Sequence, residues 1–141
     1  MPEPKVKSAM TPFPYSVALN APIGSARKLM LTKHVHHLPV TNNNALVGII
    51  TDRDIKLLLG PELGSPDPKE LTVEDAYVSD SFIVDLETPL VDVLAAMIER
   101  HLGAALVTTH GRLAGIFTAV DACRVLHDHL EETWHPPPAV A

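Results

Sequence analysis

The pattern of hydrophobic and polar positions predicts a definite order of elements in the first half of the chain. A short apolar run at 17–19 predicts a strand, and apolar residues at helical spacing over 23–30 predict an amphipathic helix. Strands are predicted at 38–41 and 45–50, joined by three asparagines that tolerate the positive φ of a tight turn. A helix over 52–59 completes a β-α-β-β-α unit.

The second half of the chain repeats this order. Strands are predicted at 83–86, 104–109 and 112–117, and helices at 90–98 and from 119 to about 132. Helices that pack on one side of a small sheet let each unit bury its apolar face. The predicted fold class is therefore α+β, with two β-α-β-β-α units.

An internal repeat relates the two halves at a constant offset of 67 residues, as from Gly48 to Gly115. About 15 of about 55 aligned positions are identical, several times the number expected from ordinary residue frequencies. The repeats are predicted at 5–60 and 72–132. A linker rich in proline, glycine and acidic residues is predicted at 61–71, and a flexible tail at 133–141.

Composition narrows the class of protein. The net charge is −6, from 11 Lys+Arg against 17 Asp+Glu, which disfavours binding to a nucleic-acid strand. The single cysteine excludes an internal disulfide, and 13 prolines disfavour an all-helical bundle. No apolar run approaches the ~20 residues that cross a bilayer, and the N-terminus lacks the apolar core of a signal peptide. We therefore expect a cytoplasmic protein without membrane insertion.

The motif Gly-Ile-x-Thr-x-x-Asp occurs in both repeats, where a strand turns into a helix. It contains Thr51 and Asp54 in the first repeat and Thr118 and Asp121 in the second. In one interpretation the threonine and aspartate form a helix-capping box. In the other, the same helix terminus offers a hydroxyl, a carboxylate and backbone N–H groups to a ligand. The two interpretations are compatible, because a carboxylate that faces outward can accept hydrogen bonds from a vicinal diol such as that of ribose.

These features resemble a tandem pair of CBS domains, also called a Bateman module. The first unit carries Ala9-Met10-Thr11-Pro12, then His37-Leu38-Pro39-Val40, then Gly48-Ile49-Ile50-Thr51-Asp52-Arg53-Asp54. The resemblance covers about residues 5–130, and no enzyme or DNA-binding domain accompanies the pair, so we expect a stand-alone module. The resemblance implies two repeats paired about a pseudo-twofold axis, sheet against sheet, which leaves two clefts.

The resemblance also implies a ligand. Such clefts often bind AMP, ADP, ATP or S-adenosylmethionine as regulatory ligands, with no cofactor required. Asp54 and Asp121 would contact ribose hydroxyls, and Thr51 and Thr118 ribose or phosphate. The further residues implied in the clefts are Arg53, Ser16, Val17, Leu38, Val40, Ile83, Val84 and Val107.

The two clefts differ in charge. Arg53 and Lys56 near the first motif correspond to Val120 and Cys123 near the second. Arginine, lysine and helix N-termini favour phosphate, so we prefer the Thr51/Asp54 cleft for a phosphorylated ligand. Residues of one unit can reach the other unit's cleft in a twofold pair, so this assignment can invert.

Three functions remain open at this point. The first is a non-catalytic regulatory module that binds an adenosine-containing ligand, forms a homodimer and signals to a client protein. The second is a ligand-free scaffold for protein interaction or dimerisation, and the third is an enzyme of unknown chemistry. No motif places a catalytic set. We expect no metal site, because His36 and His37 point to opposite sides of an extended segment, and His127 and His129 share no helix face.

Overall fold

The computed structural model describes residues 2–60, 71–135 and 138. Within them each half has the predicted β-α-β-β-α order, preceded by a short 3-10 turn at Val6–Ser8 or Val73–Asp75. The strands are β1 (Thr11–Pro12), β2 (Val17–Ala18), β3 (His37–Asn42), β4 (Ala45–Thr51), β5 (Ile83–Asp85), β6 (Ala104–Thr109) and β7 (Arg112–Thr118), and the helices are α1 (Ile23–Lys33), α2 (Asp52–Leu59), α3 (Leu90–Arg100) and α4 (Ala119–Trp134).

The last helix runs further than predicted. α4 continues through Thr133 and Trp134, so a tail that begins at 133 is wrong by two residues. The reason is that no proline or glycine interrupts the helix before Pro136. The rest of the predicted tail lies outside the described residues except for His135 and Pro138, and the predicted linker except for Leu71.

Each sheet covers one hydrophobic core with its helices. In the first core, α1 and α2 pack on the inner positions of β3 and β4, and in the second, α3 and α4 pack on β6 and β7. The buried residues of the first core include Ile23, Ala26, Met30, Leu38, Val40, Ile50 and Ile55, and those of the second include Leu90, Val93, Met97, Ala105, Val107 and Phe117. Burial of these apolar side chains supplies the main driving force for folding.

The segment that leads into each repeat crosses to the other repeat. Val6 is fully buried in the second core, and Val73 is fully buried in the first. β1 pairs with β7, and Val78 forms the equivalent bridge to Ile49 on β4. The sheet orders are therefore β1-β7-β6-β5 and β2-β3-β4, and each repeat depends on the other for part of its structure.

The crossing segments explain the glycine of the Gly-Ile-x-Thr-x-x-Asp motif. A Cβ on Gly115 would lie 2.5 Å from the Met10 Sδ atom and 2.9 Å from the Thr11 carbonyl oxygen. A Cβ on Gly48 would collide with the Val78 carbonyl oxygen. Each glycine therefore permits the close backbone approach by which one repeat holds the lead segment of the other.

The two sheets also contact each other through β4 and β7. Leu106 and Ile116 are buried and register-paired, yet they belong to neither helix-covered core. Because successive side chains of a strand point to opposite faces, these residues face the other sheet. The predicted arrangement of two repeats, sheet against sheet, is thus present. No helix among the described residues is long and apolar enough to cross a membrane.

Candidate functional site

The first motif ends β4 and begins α2 with a complete capping box. Thr51 is the N-cap residue, and its Oγ1 atom accepts a hydrogen bond from the Asp54 backbone N–H at 3.1 Å. The Asp54 Oδ2 atom accepts hydrogen bonds from the Thr51 backbone N–H at 2.9 Å and from the Thr51 hydroxyl at 2.8 Å. Among the described residues, all hydrogen bonds to this carboxylate go to Oδ2, and Asp54 is half-buried.

The second motif forms the same box at the start of α4. The Asp121 Oδ2 atom accepts from the Thr118 backbone N–H at 2.9 Å and from the Thr118 hydroxyl at 3.2 Å. The other oxygen, Oδ1, accepts from the Thr11 hydroxyl at 3.1 Å and from the Arg124 Nη1 at 2.7 Å. Asp121 is only 3% exposed. Its carboxylate is therefore buried, paired and supplied with donors on both oxygens.

The difference between the two aspartates is encoded at two aligned positions. The repeat offset places Leu57 opposite Arg124 and Val78 opposite Thr11. Neither leucine nor valine has a side-chain donor, so Leu57 and Val78 cannot donate to Asp54 Oδ1 as Arg124 and Thr11 donate to Asp121 Oδ1. Among the described residues Asp54 Oδ1 thus accepts no hydrogen bond, whereas a ligand at Asp121 Oδ1 would have to displace Arg124 or Thr11.

Sequence reasoning missed Thr11 and Arg124 as residues that shape the site. The signal was present in the offset alignment, because each is replaced in the other repeat by a residue without a donor. Its meaning depended on the crossing of β1 to β7, which brings Thr11 within 3.1 Å of a residue 110 positions away.

Ser16 lies at the same end of the sheet as Thr51. β2 pairs in parallel with β3, Val17 opposite Val40, and the first residue of β3 is opposite Thr51. The residues just before Val17 therefore lie at the end of the sheet where β4 finishes, with β3 between the two strands. Ser16 is exposed, and the neighbouring Tyr15 has the Lys33 ammonium 5.3 Å from its ring centroid.

The equivalent end of the sheet in the second repeat has the same construction. Phe82 carries Arg100 at 5.2 Å from its ring centroid, and Ile83 is exposed. Val84, one residue further along β5, is half-buried. Both repeats therefore carry an aromatic ring beside a cation at this end of the sheet. The main difference between them is the set of hydrogen-bond donors around the aspartate.

Four predicted cleft residues have side chains that point elsewhere. Leu38, Val40 and Val107 are fully buried and Val17 nearly so, all within the helix-covered cores. Strand alternation turns these side chains toward the helices. That these residues border a ligand cleft stays a prediction.

Arg53 lines a groove of about 720 Å³ between α1 and α2, together with Arg27 and Lys56. It is exposed, and adjacent residues diverge by about 100° around a helix. That Arg53 binds phosphate in the Asp54 cleft stays a prediction.

Two histidines lie close to this region. The His36 Nδ1 atom is 3.0 Å from Asp52 Oδ2. Burial raises the pKa of Asp52, but the hydrogen bond and charge of His36, with smaller contributions from the Arg53 N–H and Lys56, lower it overall. Burial lowers the pKa of His37, and the opposing effect of the Asp52 charge offsets this lowering only in part. Among the described residues no group of three or more His, Cys, Asp and Glu side chains is arranged to hold a metal ion.

Comparison with known proteins identifies the repeats. A family model described as "CBS domain" matches residues 6–60 and 73–128. A 17.7 kDa uncharacterized protein of Acidianus ambivalens is 33% identical over 129 residues, which are 88% of this chain and 74% of that protein. An uncharacterized protein of Methanocaldococcus jannaschii is 32% identical over 108 residues, 76% of this chain, which spans only 37% of its length.

Solved structures of similar fold contain adenosine derivatives. The CBS domain pair of protein MJ0100, in complex with 5'-methylthioadenosine and S-adenosyl-L-methionine, superimposes with a TM-score of 0.79 at 25% identity, over 91% of this chain and 99% of that one. CBSX2 in complex with AMP has a TM-score of 0.76 at 27% identity, over 89% of this chain and 97% of that one.

Proposed function

The chain belongs to the CBS-domain family, as a pair of such domains, and we propose that it is a cytosolic, non-catalytic regulatory module that binds one adenosine-containing ligand. The candidates are AMP, ADP, ATP and S-adenosylmethionine, because similar CBS pairs bind AMP, S-adenosyl-L-methionine or methylthioadenosine. The ligand binds at the Thr51/Asp54 edge of the first repeat. It needs no cofactor.

The state of the two aspartates carries this proposal. A ribose diol needs a carboxylate oxygen that is accessible and not already bonded. Asp54 Oδ1 meets this need among the described residues, whereas Asp121 Oδ1 accepts from Thr11 and from Arg124. Desolvated polar groups that lose their partners cost about 1–3 kcal/mol, so occupancy at Asp121 is disfavoured.

The surroundings of Asp54 fit the rest of such a ligand. Tyr15 is half exposed near the same end of the sheet, and an aromatic face suits an adenine base. Lys33 places a cation beside this ring. The first backbone N–H groups of α2 favour negative charge as well.

The output of the module is proposed to be a change in a homodimer that a client protein reads. A ligand shifts such an equilibrium only by its differential affinity for the two arrangements. The crossing lead segments provide a route, because β4, which ends at Thr51 just before Asp54, also pairs with Val78 of the second repeat.

The experiment is a thermal-shift titration of the whole chain with AMP, ADP, ATP and S-adenosylmethionine. A ligand at about 100 times its Kd adds about 2.7 kcal/mol of stability, which is several degrees for a chain of this size. Asp54→Asn should abolish the shift, since the amide offers one acceptor oxygen instead of two.

The matched control is Asp75→Asn. Asp75 completes an exposed capping box with Thr72, whose backbone N–H donates to Asp75 Oδ2 at 2.8 Å, close to the 2.9 Å of the Thr51–Asp54 bond. Its variant should keep the full ligand shift, which separates loss of a cap from loss of a ligand contact. Absence of a shift with all four ligands, or equal loss in both variants, would contradict the proposal.

A ligand-free scaffold is the second candidate, and the saturated Asp121 favours it for the second repeat. Its carboxylate accepts hydrogen bonds from Arg124 of the same repeat and from Thr11 of the first repeat, so it needs no ligand donor. A chain that dimerises but binds none of the four ligands would support the scaffold.

A further inference from the structure

The helical face of the first repeat carries a groove with a positive rim, here called the cationic groove. Arg27 on α1 and Arg53 and Lys56 on α2 are exposed along it. Among the described residues that line it, the one acid, Asp52, is bonded to His36. The remaining lining is largely apolar: Met30, Leu31, Val35, Ile55, Leu57, Leu59 and Gly60.

The second repeat carries a complementary feature, the α4 extension at 127–134. α2 ends at Leu59, which aligns with Leu126, but α4 continues for about two more turns to Trp134. Leu126, Leu130 and Trp134 are spaced by four residues on one face and are 58%, 43% and 72% exposed.

The α4 extension is also acidic. Asp128, Glu131 and Glu132 are exposed on it, and no lysine or arginine occurs after Arg124. His127 lies 3.0 Å from Asp128 and 3.9 Å from Glu131, and Glu132 has no such neighbour among the described residues. An exposed apolar stripe of this kind on a helix normally has a partner surface. Its charge is opposite to that of the cationic groove.

The two repeats differ at the positions that form the groove rim. Arg27, Arg53 and Lys56 align with three uncharged residues of the second repeat, Leu94, Val120 and Cys123. If two copies met first repeat to first repeat, the cationic rims would face each other and repel. Like-charge juxtaposition opposes association and selects against that arrangement.

We propose that the α4 extension of one copy docks in the cationic groove of a second copy, so that the first repeat of each faces the second repeat of the other. The inference rests on the proposed homodimer and adds its pairing and its residues. The Leu126–Leu130–Trp134 stripe packs on the apolar lining, and the three acids meet the three cations. A twofold axis makes the contact occur twice, which closes the dimer.

The experiment measures the dimer dissociation constant of the whole chain by sedimentation equilibrium. The groove variant is Arg53→Glu with Lys56→Glu, and the extension variant is Glu131→Lys with Glu132→Lys. Each should raise the dissociation constant about tenfold or more at low salt, because each reversal acts at both symmetric contacts. Combining all four substitutions in one chain should restore the dimer.

The combined variant distinguishes the two arrangements. In a dimer that pairs like repeats, each groove faces the other groove and each extension faces the other extension. Charge reversal then replaces repulsion between like charges of one sign by repulsion between like charges of the other sign, and the combined variant does not recover dimerisation. Trp134→Ala should also weaken the dimer. Two controls should leave the dimer unchanged: Phe13→Ala, which removes another exposed aromatic ring, and Glu3→Lys with Glu74→Lys, which reverses two exposed acids elsewhere.

Two results would overturn the inference in different ways. A chain that is monomeric at all concentrations contradicts the homodimer itself. A dimer that is indifferent to both reversals contradicts this docking while leaving the homodimer and the ligand site intact, since neither variant changes Thr51 or Asp54.

Discussion

The asymmetry between Asp54 and Asp121 predicts that a single arginine closes the ligand site. Leu57→Arg places a guanidinium three residues after Asp54, as Arg124 stands after Asp121 at 2.7 Å. Leu57 is 73% exposed, so the larger side chain costs little stability. The new arginine should occupy Asp54 Oδ1, the oxygen intended for the ribose.

The magnitude follows from the bond that is lost. A ligand must either forgo the hydrogen bond to Oδ1 or displace the arginine, and either costs about 1–2 kcal/mol. The expected result is a roughly five- to thirtyfold rise in Kd.

The assay is isothermal titration with the best of the four ligands. Leu57→Gln is the control, because it removes the same leucine with a shorter, uncharged side chain. Unchanged affinity in Leu57→Arg, or equal loss in Leu57→Gln, would refute the reasoning.

Three further predictions concern stability. Gly48→Ala should lower the free energy of unfolding by about 1–3 kcal/mol in chemical denaturation, because the new Cβ meets the crossing backbone. Gly24→Ala, whose new Cβ meets nothing within 4 Å, should raise the free energy of unfolding by about 0.5 kcal/mol. Arg124→Leu should lower it by about 1–2 kcal/mol, a melting-temperature loss of about 3–7 °C, since Asp121 loses a donor. For His37, whose pKa lies below the ordinary 6.5, stability should fall as pH falls below about 6.5, because the unfolded chain then binds more protons; His37→Gln should flatten the melting profile between about pH 7.5 and about pH 5.5.

Each of these has a contrary outcome. Equal effects of the two glycine variants would mean that the crossing backbone does not limit the site. An Arg124→Leu protein as stable as the parent would mean that Asp121 is not held by that arginine. A pH profile that persists in His37→Gln, or disappears equally in the exposed His135→Gln, would assign the dependence elsewhere.

Local elements were predictable because their signals are local. The bounds of α2 are those predicted, and Asn43 and Asn44 have the positive φ expected of the turn between β3 and β4. The capping interpretation of both motifs is confirmed by the hydrogen bonds of Thr51 and Thr118. In each case the residues that determine the structure lie within a few positions of one another.

The remaining features depended on contacts that a single strand cannot reveal. Residues 38–40 are buried on both faces of β3. Their sequence therefore has no alternation of polar and apolar residues that would distinguish the face toward the helices from the face toward the other sheet. β1 has two residues, one of them proline, and therefore no period; its pairing with β7 is set by the opposite repeat.

The central claim is that Asp54, and not Asp121, receives the ribose of an adenosine ligand. A crystal structure of the chain with the ligand that gives the largest thermal shift tests it directly. We predict one ligand per chain, with a ribose hydroxyl within hydrogen-bonding distance of Asp54 Oδ1 and the Arg124–Asp121 pair intact. A ribose on Asp121, or a ligand seated in the cationic groove, would contradict the account.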